Sequence, residues 1–255
     1  MYLDPRYEMA KLKLGKVKKA ILVASGKGGV GKSLIATSLA LILKEKGFKV
    51  GLLDLDIHGP STNLILRVRK KPTGDRKGLK PINANGLEYM SLTLLVGEKP
   101  LAFRGETKEK LVLSIFAETS WDLLDFLVVD LPPGTGDEVV VTLRLLREKA
   151  LAVVVTIPSI LSLNVVRRLL RLLTDEKILI RCLVENMSYL RYGNSVIELF
   201  GRSEAYTLAE EFGIKDVLKL PLNPELEELL RRGESPLLSQ EWKRCMSRLA
   251  DLVTS

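Results

Sequence analysis

Short runs of β-branched and aliphatic residues alternate along this chain with longer stretches in which apolar residues return every three or four positions. The short runs, residues 20–24, 50–53, 126–129, 151–156, 178–184 and 217–219, are of strand length. The longer stretches, 32–46, 137–147, 163–173, 203–212 and 224–231, carry the helical period, and Gly47 and Gly213 stand where helix C-terminal stops belong. Repeated succession of strand, turn and helix predicts an α/β fold, a doubly wound, mostly parallel sheet flanked by helices. Residues 67–86, rich in Lys, Pro, Gly and Asn, break the alternation and read as an exposed excursion, after which 87–95 add an edge strand or hairpin. The chain reads as one domain over residues 1–255, with 1–17 an N-terminal extension and 237–255 a C-terminal helix. On that helix Leu238, Trp242, Cys245, Met246, Leu249, Leu252 and Val253 fall at helical spacing.

Composition narrows the setting. At 255 residues, 46 % hydrophobic, the chain can bury a large sheet core, yet its longest apolar runs, 149–158 and 178–184, fall well short of a membrane span. The first 19 residues hold six Lys or Arg with no apolar signal core after them, so a cytoplasmic location is expected. The formal charge of +8 is spread over the chain rather than packed in one tract, and neither membrane nor nucleic acid is the expected partner. Cys182 and Cys245 lie far apart without zinc or redox spacing, as two reduced structural thiols would.

The candidate chemistry begins at Gly26-Lys27-Gly28-Gly29-Val30-Gly31-Lys32-Ser33, which directly follows the first predicted strand and opens a predicted helix. That is the context a G-x-x-x-x-G-K-S match needs. Glycines let successive backbone N–H groups face phosphate oxygens, the helix N-terminus adds its positive end, Lys32 supplies a mobile cation, and Ser33 offers a hydroxyl to Mg²⁺. Gly26, Gly28 and Gly31 with Asp54 also fit a dinucleotide fingerprint, but that reading gives Lys32 and Ser33 no function. It also ignores a second strand ending in an acid, at Asp130. A purely structural turn is disfavoured as well, since four glycines in six residues cost backbone entropy with no packing return.

Lys27 stands at the diagnostic position of the deviant Walker A ATPases, which the loop resembles. Four further stretches narrow the resemblance: Asp54-Leu55-Asp56-Ile57-His58-Gly59-Pro60-Ser61, Phe103-Arg104-Gly105, Asp130-Leu131-Pro132-Pro133-Gly134-Thr135-Gly136-Asp137 and Val184-Glu185-Asn186-Met187-Ser188-Tyr189. They look like the Mrp/ApbC iron–sulfur carriers rather than MinD or ParA, over residues 17–236. The resemblance implies a homodimeric ATPase that uses ATP and Mg²⁺. Gly26, Lys27, Gly28, Gly29, Val30, Gly31, Lys32, Ser33 and Leu34 would bind the phosphates, Gly134 would sense the γ-phosphate, and Asn186 would contact adenine, with the loop 220–224 closing over the base. Ser33, Asp54 and Asp130 would serve Mg²⁺. Asp56 would position the attacking water, and Lys27 would reach the partner's phosphates across the dimer. His58, the one histidine, is expected to be structural.

Two departures qualify the resemblance. Leu34 stands where the family usually has a second hydroxyl, which implies weaker nucleotide binding. Residues 190–195 contain none of the Cys-x-x-Cys that the family carries there, and the N-terminal cysteine cluster of eukaryotic relatives is missing too, so a bound cluster is doubtful and a cysteine-bearing partner is implied. The alternative is a MinD/ParA-like positioning ATPase that associates with membrane or DNA when ATP-bound, motivated by the basic balance and the C-terminal stripe. A catalytically dead scaffold is disfavoured because Lys27, Lys32, Ser33, Asp56 and Asp130 are all present.

Overall fold

Apolar runs too short for a buried helix but flanked by helical segments can bury both faces only as central strands, and that is how they fold. The computed structural model describes residues 4–57, 61–96, 105–201 and 203–255; His58, Gly59, Pro60, Phe103 and Arg104 lie outside them. In chain order the elements are α1 (Pro5–Leu14), β1 (Val17–Ser25), α2 (Lys32–Glu45), β2 (Val50–Asp54), α3 (Thr62–Ile65), β3 (Thr73–Asp75), β4 (Gly78–Lys80), β5 (Ile82–Ala84), β6 (Leu87–Ser91) and α4 (Leu92–Val96). There follow α5 (Gly105–Glu118), β7 (Leu124–Asp130), α6 (Asp137–Leu146), β8 (Ala150–Thr156), α7 (Ile160–Asp175), β9 (Leu179–Tyr192), β10 (Ser195–Ile197), α8 (Ala205–Glu211), β11 (Val217–Pro221), α9 (Pro224–Arg232) and α10 (Gln240–Thr254).

The main sheet runs β10-β9-β8-β1-β7-β2-β6-β5, with β11 beside β9. All pairings in it are parallel except those of the outer strands β5 and β10. Side chains alternate across β1: Ala20, Leu22 and Ala24 enter a core under α1, α5, α6 and α7, while Ile21 and Val23 enter one under α2 and α10. The register sets Asp54 of β2 beside Asp130 of β7, and Val23 of β1 on that residue's other side. Two acids and the start of the glycine loop therefore meet at the C-terminal end of the sheet, where doubly wound folds bind ligands.

Several expectations change. The N-terminal extension contains α1, capped by Asp4, whose carboxylate accepts from the Arg6 amide at 3.0 Å, and packed through Ala10 and Leu14. Helix α5 was not expected, although Val112, Ile115 and Phe116 hold its buried face at helical spacing. The excursion is only partly exposed. It forms the β3–β4 hairpin, tied to the end of α5 by the Ser120 amide on Leu79 O at 2.8 Å, and then β5, which makes β6 an inner strand. Strands of three residues carry too little periodicity to be read from sequence. At the C-terminus a 3₁₀ turn (Pro236–Leu238) precedes α10. Trp242, Met246, Leu249 and Val253 are buried there, and Trp242 Nε1 donates to Ser38 Oγ of α2 at 2.9 Å. The C-terminal stripe is thus core, with Leu238 exposed as its exception.

Candidate functional site

Ser25 ends β1, and the chain then turns through the glycine loop into α2. Gly26 is required by space: a Cβ there would lie 2.8 Å from the backbone of Val165 and Val166 in α7. Gly31 is required by conformation, with φ +83°, and a Cβ would also collide with Asn186 Nδ2. Because Gly31 caps α2 without a side chain, the first-turn amides of Lys32, Ser33 and Leu34 have no intrahelical acceptor and are available to an anion.

The loop floors a cleft of 790 Å³. Asp56, Ser61 and Pro133 line it, together with Leu64 and Ile65 of α3 and Leu230 and Arg231 of α9. Arg67, at φ +55°, lays its guanidinium over Gly233 and donates Nη2 to Arg232 O at 2.9 Å, joining the chain after α3 to the C-terminus of α9.

Lys32 is 5 % exposed and donates Nζ to Asp130 Oδ1 at 2.6 Å. Asp130 is fully buried, and its Oδ2 has no hydrogen-bond partner. Beside it Asp54, also fully buried, accepts the Asp56 amide on Oδ1 at 2.9 Å and the Thr62 hydroxyl on Oδ2. Tyr89 Oη lies 2.8 Å from that hydroxyl. Burial, and next the charge of Asp130, pushes the Asp54 carboxyl well above the ordinary carboxylate range. Burial also raises Asp130, against the opposing pull of Lys32. Two buried carboxyls face one ammonium, with one carboxylate oxygen orphaned, and that set of hard oxygen donors fits a hydrated Mg²⁺.

The other expected residues distribute as follows. Lys27 is half-buried, its carbonyl accepts the Ser25 hydroxyl at 3.0 Å, and its ammonium meets no acceptor among the described residues. Asp56 lines the cleft at 8 % exposure, and Ser33 and Leu34 line it as first-turn residues of α2. Gly134 adopts φ +94° and donates its amide to Ser25 O at 2.8 Å, tying the loop after β7 to the root of the glycine loop. Asn186 braces that loop from below, donating Nδ2 to Val30 O at 2.9 Å, and it is Met187, with φ +54°, that lines the cleft. In the loop 220–224, Asn223 caps α9 by accepting the Glu225 amide at 2.9 Å; the cleft is instead reached by the middle of α9. Sequence reading missed Leu64, Ile65, Leu230 and Arg231, since cleft walls of ordinary apolar or charged residues carry no motif.

Neither cysteine is placed as a ligand. Cys182 is fully buried in β9, where burial and then the Asp216 charge push its thiol up to about 12. Cys245 is half-buried on α10, its thiol raised by burial and then by Glu241. Among the described residues no group of three or more His, Cys, Asp or Glu is arranged to hold a metal ion, and no helix is long and apolar enough to cross a membrane.

A family model described as "ParA: NUBPL iron-transfer P-loop NTPase" matches residues 16–255. An iron–sulfur cluster carrier protein from Saccharolobus solfataricus is 35 % identical over 230 residues, covering 88 % of this chain and 78 % of that protein. The cytosolic Fe-S cluster assembly factor NUBP2 of Gallus gallus is 37 % identical over 231 residues, covering 86 % and 85 %. Among solved structures, a nucleotide-binding protein from Archaeoglobus fulgidus in complex with ADP superposes with a TM-score of 0.80 at 31 % identity, covering 92 % of this chain and 95 % of that one.

Proposed function

This chain belongs to the Mrp/NUBPL-type iron–sulfur cluster carriers, P-loop NTPases of the deviant Walker A family whose members dimerise around nucleotide, and we propose that it is a Mg²⁺-dependent, homodimeric ATPase that works in the cytoplasm without a cluster of its own. The observation that carries the ATPase reading is the Lys32–Asp130 ion pair, buried beside Asp54 at the uncapped N-terminus of α2.

On this reading an incoming triphosphate takes Lys32 from Asp130, because a polyanion outbids one carboxylate for an ammonium and brings the loop amides acceptors as well. Asp130 and Asp54, relieved of their cation, would stand behind the waters of a Mg²⁺ held by the Ser33 hydroxyl; the ion supplies charge neutralisation at the β- and γ-phosphates. Asp56 accepts a hydrogen bond from the attacking water and aims it. Water oxygen bonds to the γ-phosphorus as the bond to the β–γ bridging oxygen breaks, giving ADP and phosphate with a proton released to solvent. Lys27, whose ammonium meets no acceptor among the described residues, adds charge to the partner's phosphates in the transition state. The membrane version of the rival positioning-ATPase reading loses its apolar stripe, because Trp242, Met246, Leu249 and Val253 are occupied in the core.

An iron–sulfur cluster requires about four thiolates. Cys182 is fully buried in β9 and Cys245 is half-buried on α10, so neither thiol is presented to a cluster. Any cluster carried would therefore be held by cysteines of a partner. Anaerobic reconstitution with iron and sulfide tests this. The expected result is no retained iron after desalting and no absorption band near about 400 nm. Stoichiometric iron and sulfide, lost in Cys245→Ser, would show that the chain assembles a site of its own.

A further inference from the structure

The two acids at the end of the sheet are held by different means. Asp130 is held by Lys32, the group that an incoming triphosphate draws away, and its Oδ2 has no partner. Asp54 is held by the fold itself. The Asp56 amide donates to its Oδ1 at 2.9 Å and the Thr62 hydroxyl donates to its Oδ2. Each oxygen thus has one fixed donor, and the plane of the carboxylate is set by groups that do not leave with Lys32.

Thr62 has one hydroxyl proton and spends it on Asp54. Tyr89 Oη lies 2.8 Å from the same hydroxyl and must therefore donate to it, which makes a chain from Tyr89 through Thr62 to Asp54. The parallel register of β2 on β6 builds the chain: Leu52 lies beside Tyr89 and Asp54 beside Ser91, so the long phenol spans the two residues that separate it from the level of the acid. Thr62 and Tyr89 are both fully buried, Tyr89 in the apolar cluster under α2 and α10. A position that served packing alone would gain nothing from a phenolic oxygen, because a buried hydroxyl costs free energy unless it is bonded. Neither residue lines the cleft, so neither can touch a ligand there except through Asp54 or through α3, which Thr62 opens and whose Leu64 and Ile65 form part of the wall.

We propose that Thr62, backed by Tyr89, is a positioning residue for Mg²⁺, its hydroxyl holding Asp54 in the orientation from which that carboxylate accepts from the waters of the ion, a role that rests on the Mg²⁺ reading above. The need arises when nucleotide binds. Once Lys32 has turned to the phosphates, Asp54 and Asp130 face each other as like charges, and a carboxylate free to rotate would swing away from its neighbour. Hydrated Mg²⁺ demands near-octahedral geometry, so acceptors for its waters serve best when they are fixed beforehand. Thr62 fixes Oδ2 as the Asp56 amide fixes Oδ1, and Tyr89 fixes Thr62.

The test measures binding of a slowly hydrolysed ATP analogue to the full-length chain by calorimetry, in EDTA and across a Mg²⁺ titration. Thr62→Val keeps the shape of the side chain and removes the donor. Its affinity in EDTA should match wild type, while its half-saturating Mg²⁺ concentration should rise about 10-fold, the scale of one hydrogen bond to a charged group. Thr62→Ser, which restores the hydroxyl, should bring the Mg²⁺ response back. Tyr89→Phe should raise half-saturation about 3-fold, the scale of a neutral hydrogen bond, and should add nothing in the Thr62→Val background, because it acts through Thr62. An unchanged Mg²⁺ response in Thr62→Val, or an equal loss in EDTA and in Mg²⁺, would overturn the proposal; the second result would reduce the hydroxyl to an anchor for α3. Tyr89→Phe deletes one oxygen and no carbon, so it decides the matter if Thr62→Val does not fold, and a wild-type Mg²⁺ response there would overturn the chain. A wild-type protein that binds the analogue equally with and without Mg²⁺ would overturn the Mg²⁺ reading itself.

Discussion

Lys32→Ala is expected to weaken Mg·ATP binding by about 100-fold or more, because it deletes the one buried cation found among the described residues, in a site shaped for a polyanion. The same substitution leaves Asp130 and Asp54 facing each other without compensation, and loss of one partner of a buried pair costs about 3–5 kcal/mol when the other stays charged. The carboxyls have an escape, which is to keep a proton. Both already titrate above the unfolded value of 3.8, so between that value and their folded pKa the native chain holds protons that the unfolded chain has lost. Stability from these groups is therefore greatest at low pH and falls as pH rises through the folded values. Removing Lys32 raises those values further, so the deficit in melting temperature against wild type should be small near pH 5 and grow toward pH 8. Calorimetric titration with Mg·ATP, together with melting curves at both pH values, checks this. An unchanged affinity in a folded variant would sink the phosphate-loop assignment, and a melting deficit independent of pH would contradict the account of the acidic pair.

Asp56→Asn separates binding from chemistry. The substitution keeps side-chain shape and the backbone N–H that donates to Asp54 at 2.9 Å, so the loop holding Asp54 and Thr62 in place is preserved. Mg·ATP affinity should stay within a few-fold of wild type. What is lost is a carboxylate acceptor at the cleft wall for the attacking water, and hydrolysis should slow by about 100-fold or more, the usual scale for a residue that handles the water's protons. Phosphate release in a single turnover reads the step directly. Wild-type turnover in Asp56→Asn would assign the water to another group.

The central strands and the phosphate loop were legible because their signals are local. Residues 20–33 state strand, turn and helix within fourteen positions, and every glycine the turn needs is written out. Asp54 and Asp130 were legible as acids at strand ends, but only the register of β2 on β7 makes them a pair, and only burial makes Asp130 Oδ2 an orphan. The link from Asn186 to the glycine loop was not legible, since an amide that braces Val30 from 156 residues away leaves no trace in spacing. The walls given by α3 and α9, and the link from Arg67 to Arg232, depend on elements far apart in sequence. Helix α5 is the miss with a readable cause: its apolar face was present, but it lies in a part of the chain where the strand–helix rhythm is interrupted by the excursion. For β9 the apolar run ends at Val184; beyond it Glu185 accepts from Ser188 and Ser203 at 2.6 and 2.5 Å, polar contacts that carry no apolar periodicity.

The claim on which the whole account turns is that each site is completed by Lys27 of the other copy, and mixing two inactive variants measures it. In a symmetric dimer a site built from its own Asp56 and its partner's Lys27 is broken in both Lys27→Ala and Asp56→Asn homodimers. A mixed dimer, however, keeps one intact site, on the Lys27→Ala chain. Equal amounts of the two, allowed to exchange, should recover about a quarter of the wild-type hydrolysis rate per chain. A mixture no more active than the sum of its two components would mean that Lys27 acts within its own chain or not at all, and would contradict the account.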